Sequence, residues 1–328
     1  MEDVAALAGV SGQTVSRVVN NRKNVDPETR DRVLRAMNMI GYRTNTAARA
    51  LATGQFRAIG VINFNLRGYG ESRVLESLAA AARPAGYHID LMEVGVPTEE
   101  AVREAYGELA VQAVDGVVLI QAQLLDTPTL HLPTGIPVVI VAGDRHQRYA
   151  VVDTDQAAGA RLATEHLLSL GHRTVWHLAG PQDSPSARQR LEAWHNTLKE
   201  AGSPVPPVSY GDWTADSGYE AGQRLAQEPD LTAVFTANDQ MALGVMLALA
   251  EAGRSVPGDV SVVGFDDVDD SSCYQPPLTT VHQEFERVGE QCLASLLHQM
   301  SHGQDTTPPV SQILPRLVVR KSTAAPAK

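Results

Sequence analysis

At 328 residues the chain is long for one compact core, and two or three domains are expected. Its formal charge of -11 is the wrong sign for a chain that binds nucleic acid along its whole length. No apolar run reaches about 18 residues, no charged-then-apolar leader opens the chain, and Cys273 and Cys292 are too few for a disulfide framework or a metal knuckle. These features predict a cytoplasmic protein that neither spans a membrane nor is secreted, with no cofactor and no metal.

The charge is unevenly divided. Residues 1 to 57 carry nine Lys+Arg against five Asp+Glu, a net of +4, and the remainder carry 18 against 33, a net of -15. A small basic head on a large acidic body suits a head that meets phosphate and a body that does not.

Within the head, Val4/Leu7/Ala8 and Val15/Val18/Val19 fall in two short helical registers separated by Gly9-Val10-Ser11. Ser11 is placed to cap the second helix, which turns Gln13, Ser16 and Arg17 outward while burying its valines. This is a helix-turn-helix pattern, although an ordinary helical hairpin with a solvated face shares it. Gln13 and Arg17 lie one turn apart, and their side chains are the types that pair two-pronged with adenine and guanine in the major groove. A third helix follows, with Asp26 as cap, Pro27 at the first position, Val33/Met37/Ile40 as the buried stripe and Gly41 as the stop. Asn45 then caps an alanine-rich segment from Thr46 to Ala52, too short to hold a helix alone in water. Docked on DNA, its alanines would allow close backbone approach and Leu51 would be an apolar wedge for the minor groove; a plain linker is the alternative.

The runs Asp3-Val4-Ala5, Ala8-Gly9-Val10-Ser11, Thr14 to Asn20, Gly41-Tyr42 and Asn45 to Ala52 resemble the head and hinge of the lac repressor family of bacterial regulators, lac/gal type. The resemblance implies that Gln13 and Arg17 read base edges, that Asn20, Asn24 and Thr29 sit near phosphates, and that Leu51 is the minor-groove lever. It also puts Ser11, Thr14, Ser16, Tyr42, Asn45 and Ala48 on the DNA side. Gly12 offers no side chain where relatives often place a reading residue, so half-site preference does not transfer. The usual capping threonine ahead of helix 1 is missing, which points to a native start a few residues upstream.

From Arg57 onward short Val/Ile-rich runs alternate with helical stretches. Strands are expected at 57-63, 88-94, 115-120, 136-141, 149-153, 174-179, 231-236, 259-265, 278-282 and 313-319. Such alternation predicts an α/β fold with two parallel sheets of about six strands each, covered by helices.

Open sheets of this type bind ligands beyond the carboxyl ends of their strands. Strand 174-179 leads to Ser186 and Arg190, strand 231-236 to Asn238, strand 259-265 ends in Asp266-Asp267, and strand 278-282 is followed by Gln283 and Phe285; Trp213 falls between the first two. Arg and Asp can each hold a pair of adjacent hydroxyls, Asn adds a donor and an acceptor, and Trp covers the C–H face of a sugar ring. A neutral polyol fits that set. The plainer reading pairs Arg190 with Asp266 and makes Asn238 a helix cap, and the two readings are compatible.

The body also resembles the lac repressor family, in Leu178 to Pro181, Ser186-Ala187-Arg188, Gly211-Asp212-Trp213, Ala237 to Gly244, Val262 to Asp267, Asp270 to Tyr274 and Pro277 to Thr280. The resemblance implies a helix-turn-helix head (1-44), a hinge helix and linker (45-56) and a two-lobed, periplasmic-binding-protein-like sugar-binding and dimerisation core (57-328). The N lobe would hold about 57-154 and 284-312, the C lobe about 155-283 and 313-328. Arg190, Asn238, Asp266 and Trp213 would hold the sugar, helped by Ser186, Gln283 and Phe285, with a galactoside-like inducer. The family's amide and acid beyond the third and fourth strands fall on Ile120 and Ala142, and Phe64 stands where a small hydroxyl residue is expected, leaving Asp144 or His146 to supply what is missing. Helix 71-83, with Leu75, Leu78, Ala79 and Ala82 on one side, and the segment around Cys273-Tyr274 are candidate dimer surfaces. The tail beyond Arg320 has no leucine heptad, so a homodimer is expected rather than four chains.

The expected function is a repressor released from near-palindromic double-stranded operator DNA by a small sugar effector. Its rivals are a ligand-activated regulator of the same family, a free sugar-binding protein, and an enzyme using Asp266-Asp267 and His282. The basic head disfavours the second. The lack of G-x-S-x-G, metal spacing or G-x-G-x-x-G disfavours the third, so no catalytic residues are assigned.

Overall fold

A computed structural model of the chain describes residues 1–19, 24–42, 54–127, 130–142, 148–303 and 309–327. They fall into two compact units, Met1–Phe56 and Arg57–Lys328.

The first unit contains α1 (Glu2–Ala8), α2 (Gly12–Val19) and α3 (Pro27–Met39). Gly9 ends α1 in the left-handed region at φ 63, where a residue without a side chain is unstrained. The Ser11 carbonyl and hydroxyl both accept the Thr14 N–H, which starts α2. Asp26 caps α3 by accepting from the N–H groups of Glu28 and Thr29, with Pro27 in the first turn. The core is Val4, Ala5, Ala8, Val15, Val18, Val33 and Ala36, with Val10, Val19, Val25, Met37 and Tyr42 against it. Two expected core positions differ: Leu7 is 49% exposed and Ile40 is 45% exposed. In a bundle of such short helices the small Ala5 and Ala36 take the inner seats, because close helix approach leaves no room for longer side chains there. The expected helix over 46-52 lies outside the described residues.

The second unit holds two six-stranded sheets. One is built from β1 (Ala58–Asn63), β2 (His88–Glu93), β3 (Gly116–Ile120), β4 (Val138–Val141), β5 (Ala150–Thr154) and β11 (Val310–Ile313). Its order is β11-β5-β4-β3-β1-β2, parallel throughout. The other has the order β12-β10-β9-β8-β6-β7, from β6 (Trp176–Ala179), β7 (Ser209–Tyr210), β8 (Ala233–Thr236), β9 (Ser261–Asp266), β10 (Thr279–His282) and β12 (Arg316–Val318). Only β12 runs antiparallel to its neighbour. The expected strand 313-319 is thus two strands in different sheets, parted at Leu314-Pro315, where a proline without an N–H interrupts any ladder. The two-residue β7 was not expected.

Helices cover both faces of each sheet. On the first sheet, α4 (Tyr69–Ala82) and α10 (Phe285–His302) bury one face and α5 (Glu99–Val111) the other. On the second, α8 (Ala215–Leu225) and α9 (Asp239–Glu251) bury one face, α6 (Gln156–Ser169) and α7 (Pro185–Glu200) the other. Strands β1, β3, β4, β5, β8 and β9 are buried along their whole length, as parallel strands between two helical layers must be. Of the residues expected at a dimer surface on α4, Leu78 and Ala82 are buried in the core of their own lobe, Leu75 packs against that core and Ala79 is half-buried. Near the other candidate surface Cys273 is exposed and Tyr274 is buried. The chain passes between lobes three times, from β5 to α6, from β10 to α10, and from β11 to β12.

Candidate functional site

A cavity of about 100 Å3 lies between the two sheets of the body, beyond the carboxyl ends of their strands. From the second lobe it is lined by Ser184, Ser186, Arg190, Trp213, Asn238, Asp266 and Gln283. From the first lobe come Tyr69, Glu71, Val74, Ile120, Val141, Ala142 and Phe285, and between them stand Asp153, Thr154 and Gln156.

Arg190 anchors the polar wall. It is 4% exposed, on α7, a helix that starts at the Ser184 cap. Its Nε donates to Oε1 of Gln156 at 2.8 Å, Nη1 donates to the Ala237 carbonyl, and Nη2 lies 3.7 Å from Oδ1 of Asp266. The guanidinium carbon sits 3.6 Å over the Phe265 ring and 5.6 Å over the Trp213 ring. Asp266 accepts from Nε2 of Gln283 at 2.7 Å. Gln156 ties in both flanks, donating to Asp153 and to Gln283 at 3.3 Å each. Burial pushes the Asp266 carboxyl up to about 6, with Arg190 and Gln283 drawing it back down. Behind it the Asp239 carboxyl is raised well above the usual range by its own burial and by the Asp266 charge.

Asn238 is the cap of α9: its Oδ1 accepts the Met241 N–H at 3.0 Å and its Nδ2 donates to the Trp213 carbonyl at 2.9 Å. Trp213 sits at positive φ, and its ring lies so close to Gly180 that a Cβ there would collide with it. Both plainer contacts of the sequence reading, the Arg190–Asp266 pair and the Asn238 cap, are present, and both stand on the cavity wall. Asp267 points away from Asp266, accepting from Arg320 at 2.6 Å and bonded to Nδ1 of His282 at 2.9 Å.

Seven of the eight expected ligand residues, Ser186, Arg190, Trp213, Asn238, Asp266, Gln283 and Phe285, line this cavity. Phe64 does not: it is packed with Ile62, Val94 and Leu119 in the core on the α5 side of the first sheet. Asp144 and His146 lie outside the described residues. Glu71, Asp153 and Gln156 went unassigned in the sequence. Beside the cavity wall the lobes are tied by Asp183, whose carbonyl accepts the Leu124 N–H at 2.7 Å and whose carboxylate accepts from Gln123 at 3.0 Å.

In the head, Gln13 and Arg17 are exposed one turn apart on α2, and Ser16 is half-buried between them. Ser11 is exposed and Thr14 half-buried, their hydroxyls 3.0 Å apart. Asn24 is exposed ahead of α3, and Thr29 is half-buried in its first turn, accepting from Arg32. Tyr42 packs against the head core. Asn20, Asn45, Ala48 and Leu51 lie outside the described residues. Among the described residues no group of three or more His, Cys, Asp or Glu is placed to hold a metal ion, and no helix is long and apolar enough to cross a membrane.

A helix-turn-helix head joined to a two-lobed body with a cavity between its sheets defines a class, the transcriptional regulators built on a periplasmic-binding-like core. Residues 1–45 match the model for bacterial regulatory proteins of the lacI family, and residues 164–323 match that for a periplasmic binding protein-like domain. The chain is 39% identical to the lactose operon repressor of Escherichia coli (strain K12), over 99% of this chain and 90% of that protein. A crystal structure of the lac repressor dimer bound to operator and the anti-inducer ONPF superposes with a TM-score of 0.85 at 35% identity, covering 98% of each chain. A complex of the transcriptional regulator CelR with cellobiose gives 0.73 at 33% identity, again over 98% of each chain. The chain belongs to the lacI family of bacterial regulatory proteins, a family of regulators and not of enzymes.

Proposed function

We propose that the protein is a cytoplasmic, homodimeric transcriptional repressor that leaves its operator when a small glycoside fills the cavity. Residues 1-44 read DNA, 45-56 form the hinge, and 57-328 bind effector and partner. Two heads would read the halves of a near-palindrome about one helical turn apart, and paired hinges would pry the minor groove between them. The observation that carries the effector reading is the buried Arg190, Asp266 and Asn238 set beside the Trp213 ring on one wall of the cavity. These groups supply paired donors and acceptors for adjacent hydroxyls and a flat face for a sugar ring. The cellobiose of the CelR complex supports the same chemistry.

Release requires that effector bind the DNA-free arrangement more tightly than the DNA-bound one, and the ratio of the two affinities sets how far release can go. A gel-shift titration tests this, using the promoter next to the protein's own gene and a panel of glycosides. Loss of the shifted band with one of them is the expected result. Strengthening of the band would assign the opposite coupling, and insensitivity to every sugar would overturn the effector reading.

Leu51→Ala should weaken operator binding by roughly 10-fold or more, about 1.4 kcal/mol, and leave sugar affinity by calorimetry unchanged. Equal operator binding by the variant would remove the hinge from the mechanism.

A further inference from the structure

The two walls of the cavity are unlike in charge. Among the described residues its lining carries three carboxylates, Glu71, Asp153 and Asp266, one guanidinium, Arg190, and no lysine or histidine. Arg190 is already engaged by Gln156, the Ala237 carbonyl and Asp266 on the second lobe. Glu71 belongs to the other lobe, in the first turn of α4. Its carboxylate is folded back over Gly68, and a Cβ on Gly68 would collide with its Oε2. Gly68 has an ordinary extended backbone at φ -66, so what a side chain there would displace is the end of the Glu71 side chain and not the backbone. Burial raises the Glu71 carboxyl, and its own N–H and the Arg190 charge offset this only in part. On the rest of that wall Tyr69 brings a phenol hydroxyl, and Val74, Ile120, Val141, Ala142 and Phe285 are apolar, so Glu71 is its one charged side chain.

We propose that the effector carries a primary ammonium group, as a 2-amino-2-deoxy sugar or its glycoside does, and that Glu71 is the specificity-determining residue that receives it. The proposal rests on the sugar-effector reading and narrows it. A neutral sugar would close the cavity over a surplus of negative charge in a low-dielectric space, and a sugar phosphate would add to that surplus. An ammonium gives Glu71 charge-assisted hydrogen bonds, while the polar groups of the second lobe take the hydroxyls and the apolar wall takes the C–H face.

The test is calorimetry on the full-length protein with matched pairs: glucosamine against glucose, galactosamine against galactose, mannosamine against mannose. The N-acetyl sugars serve as uncharged controls of similar bulk. In at least one pair the amine should bind roughly 10-fold tighter or better, and the N-acetyl form should lose that advantage. Glu71→Gln should bring the amine-to-neutral ratio close to one. Gly68→Ala, which displaces the carboxylate without removing it, should lower the same ratio. Neutral sugars binding as well as or better than their amines would overturn the ammonium assignment and leave the sugar reading standing, as would a preference that survives in Glu71→Gln. No binding by any member of any pair would overturn both.

Discussion

Arg190→Met should yield a protein that holds its operator and ignores effector. The guanidinium is the one cation of the described cavity lining, and it joins three elements: α6 through Gln156, the end of β8 through the Ala237 carbonyl, and β9 through Asp266. Methionine fills part of the volume but returns none of these bonds. Effector affinity should fall at least about 100-fold, the equivalent of roughly 2.7 kcal/mol, because the site loses a two-pronged donor and leaves Gln156 and Asp266 misaligned. Removing one partner of a buried ion pair also costs about 3–5 kcal/mol of folding stability, here at the low end because Asp266 can take up a proton. Gel shifts with effector and urea melts of the same preparation read both effects. Arg190→Lys should be intermediate in stability and still poor in effector response, since a point charge replaces a planar fork. Release of Arg190→Met from operator at the effector concentration that releases the wild type would refute the assignment.

The second large effect lies away from the cavity. His177 on β6 is fully buried, stacked 4.7 Å from Phe235 and tilted 5.2 Å from Trp194; its Nδ1 bonds to the Phe235 carbonyl and its Nε2 meets no hydrogen-bond partner among the described residues. Burial lowers its pKa to about 4 from 6.5. A histidine depressed in this way stays neutral in the folded state and protonates first in the unfolded one. Its contribution to stability is complete above pH 6.5 and is lost as pH falls towards 4, for a total of about 3 kcal/mol. Asp266, raised from 3.8 to about 6, has the opposite sign: its contribution is complete below 3.8 and is lost as pH rises through 6. The difference between wild type and His177→Leu isolates the histidine. Moving from pH 7.5 to 5, the variant should gain about 2 kcal/mol relative to wild type in urea melts, and parallel pH profiles would contradict the account.

The parts of the fold that announced themselves are those where a local signal and the tertiary environment agree. Asp26, Pro27 and Gly41 bracket α3 in sequence and in structure, because caps act within one turn. Fully buried β strands show as Val/Ile runs for the same reason they are buried. That same burial hides which face a residue takes, so Phe64, just past β1, reads from sequence as a ligand contact and lies in the core. Spacing alone points Leu7 and Ile40 to the head core, whereas close helix approach selects alanine. The polar wall of the cavity was readable because strand ends in such sheets point at ligands. Glu71 and Gln156 sit instead in the first turns of helices, and only the folded lobes bring those turns to the cavity.

The path by which the last strands are laid down bears on how the protein is made. β11 and β12, separated by two residues near the C-terminus, supply one edge strand to each lobe. During synthesis neither sheet can be completed until residues 310 to 318 have left the ribosome, so the two lobes are finished together. Release of the chain before residue 310 would leave each sheet short of one edge strand, with β5 and β10 as open hydrogen-bonding edges prone to pair with another nascent copy.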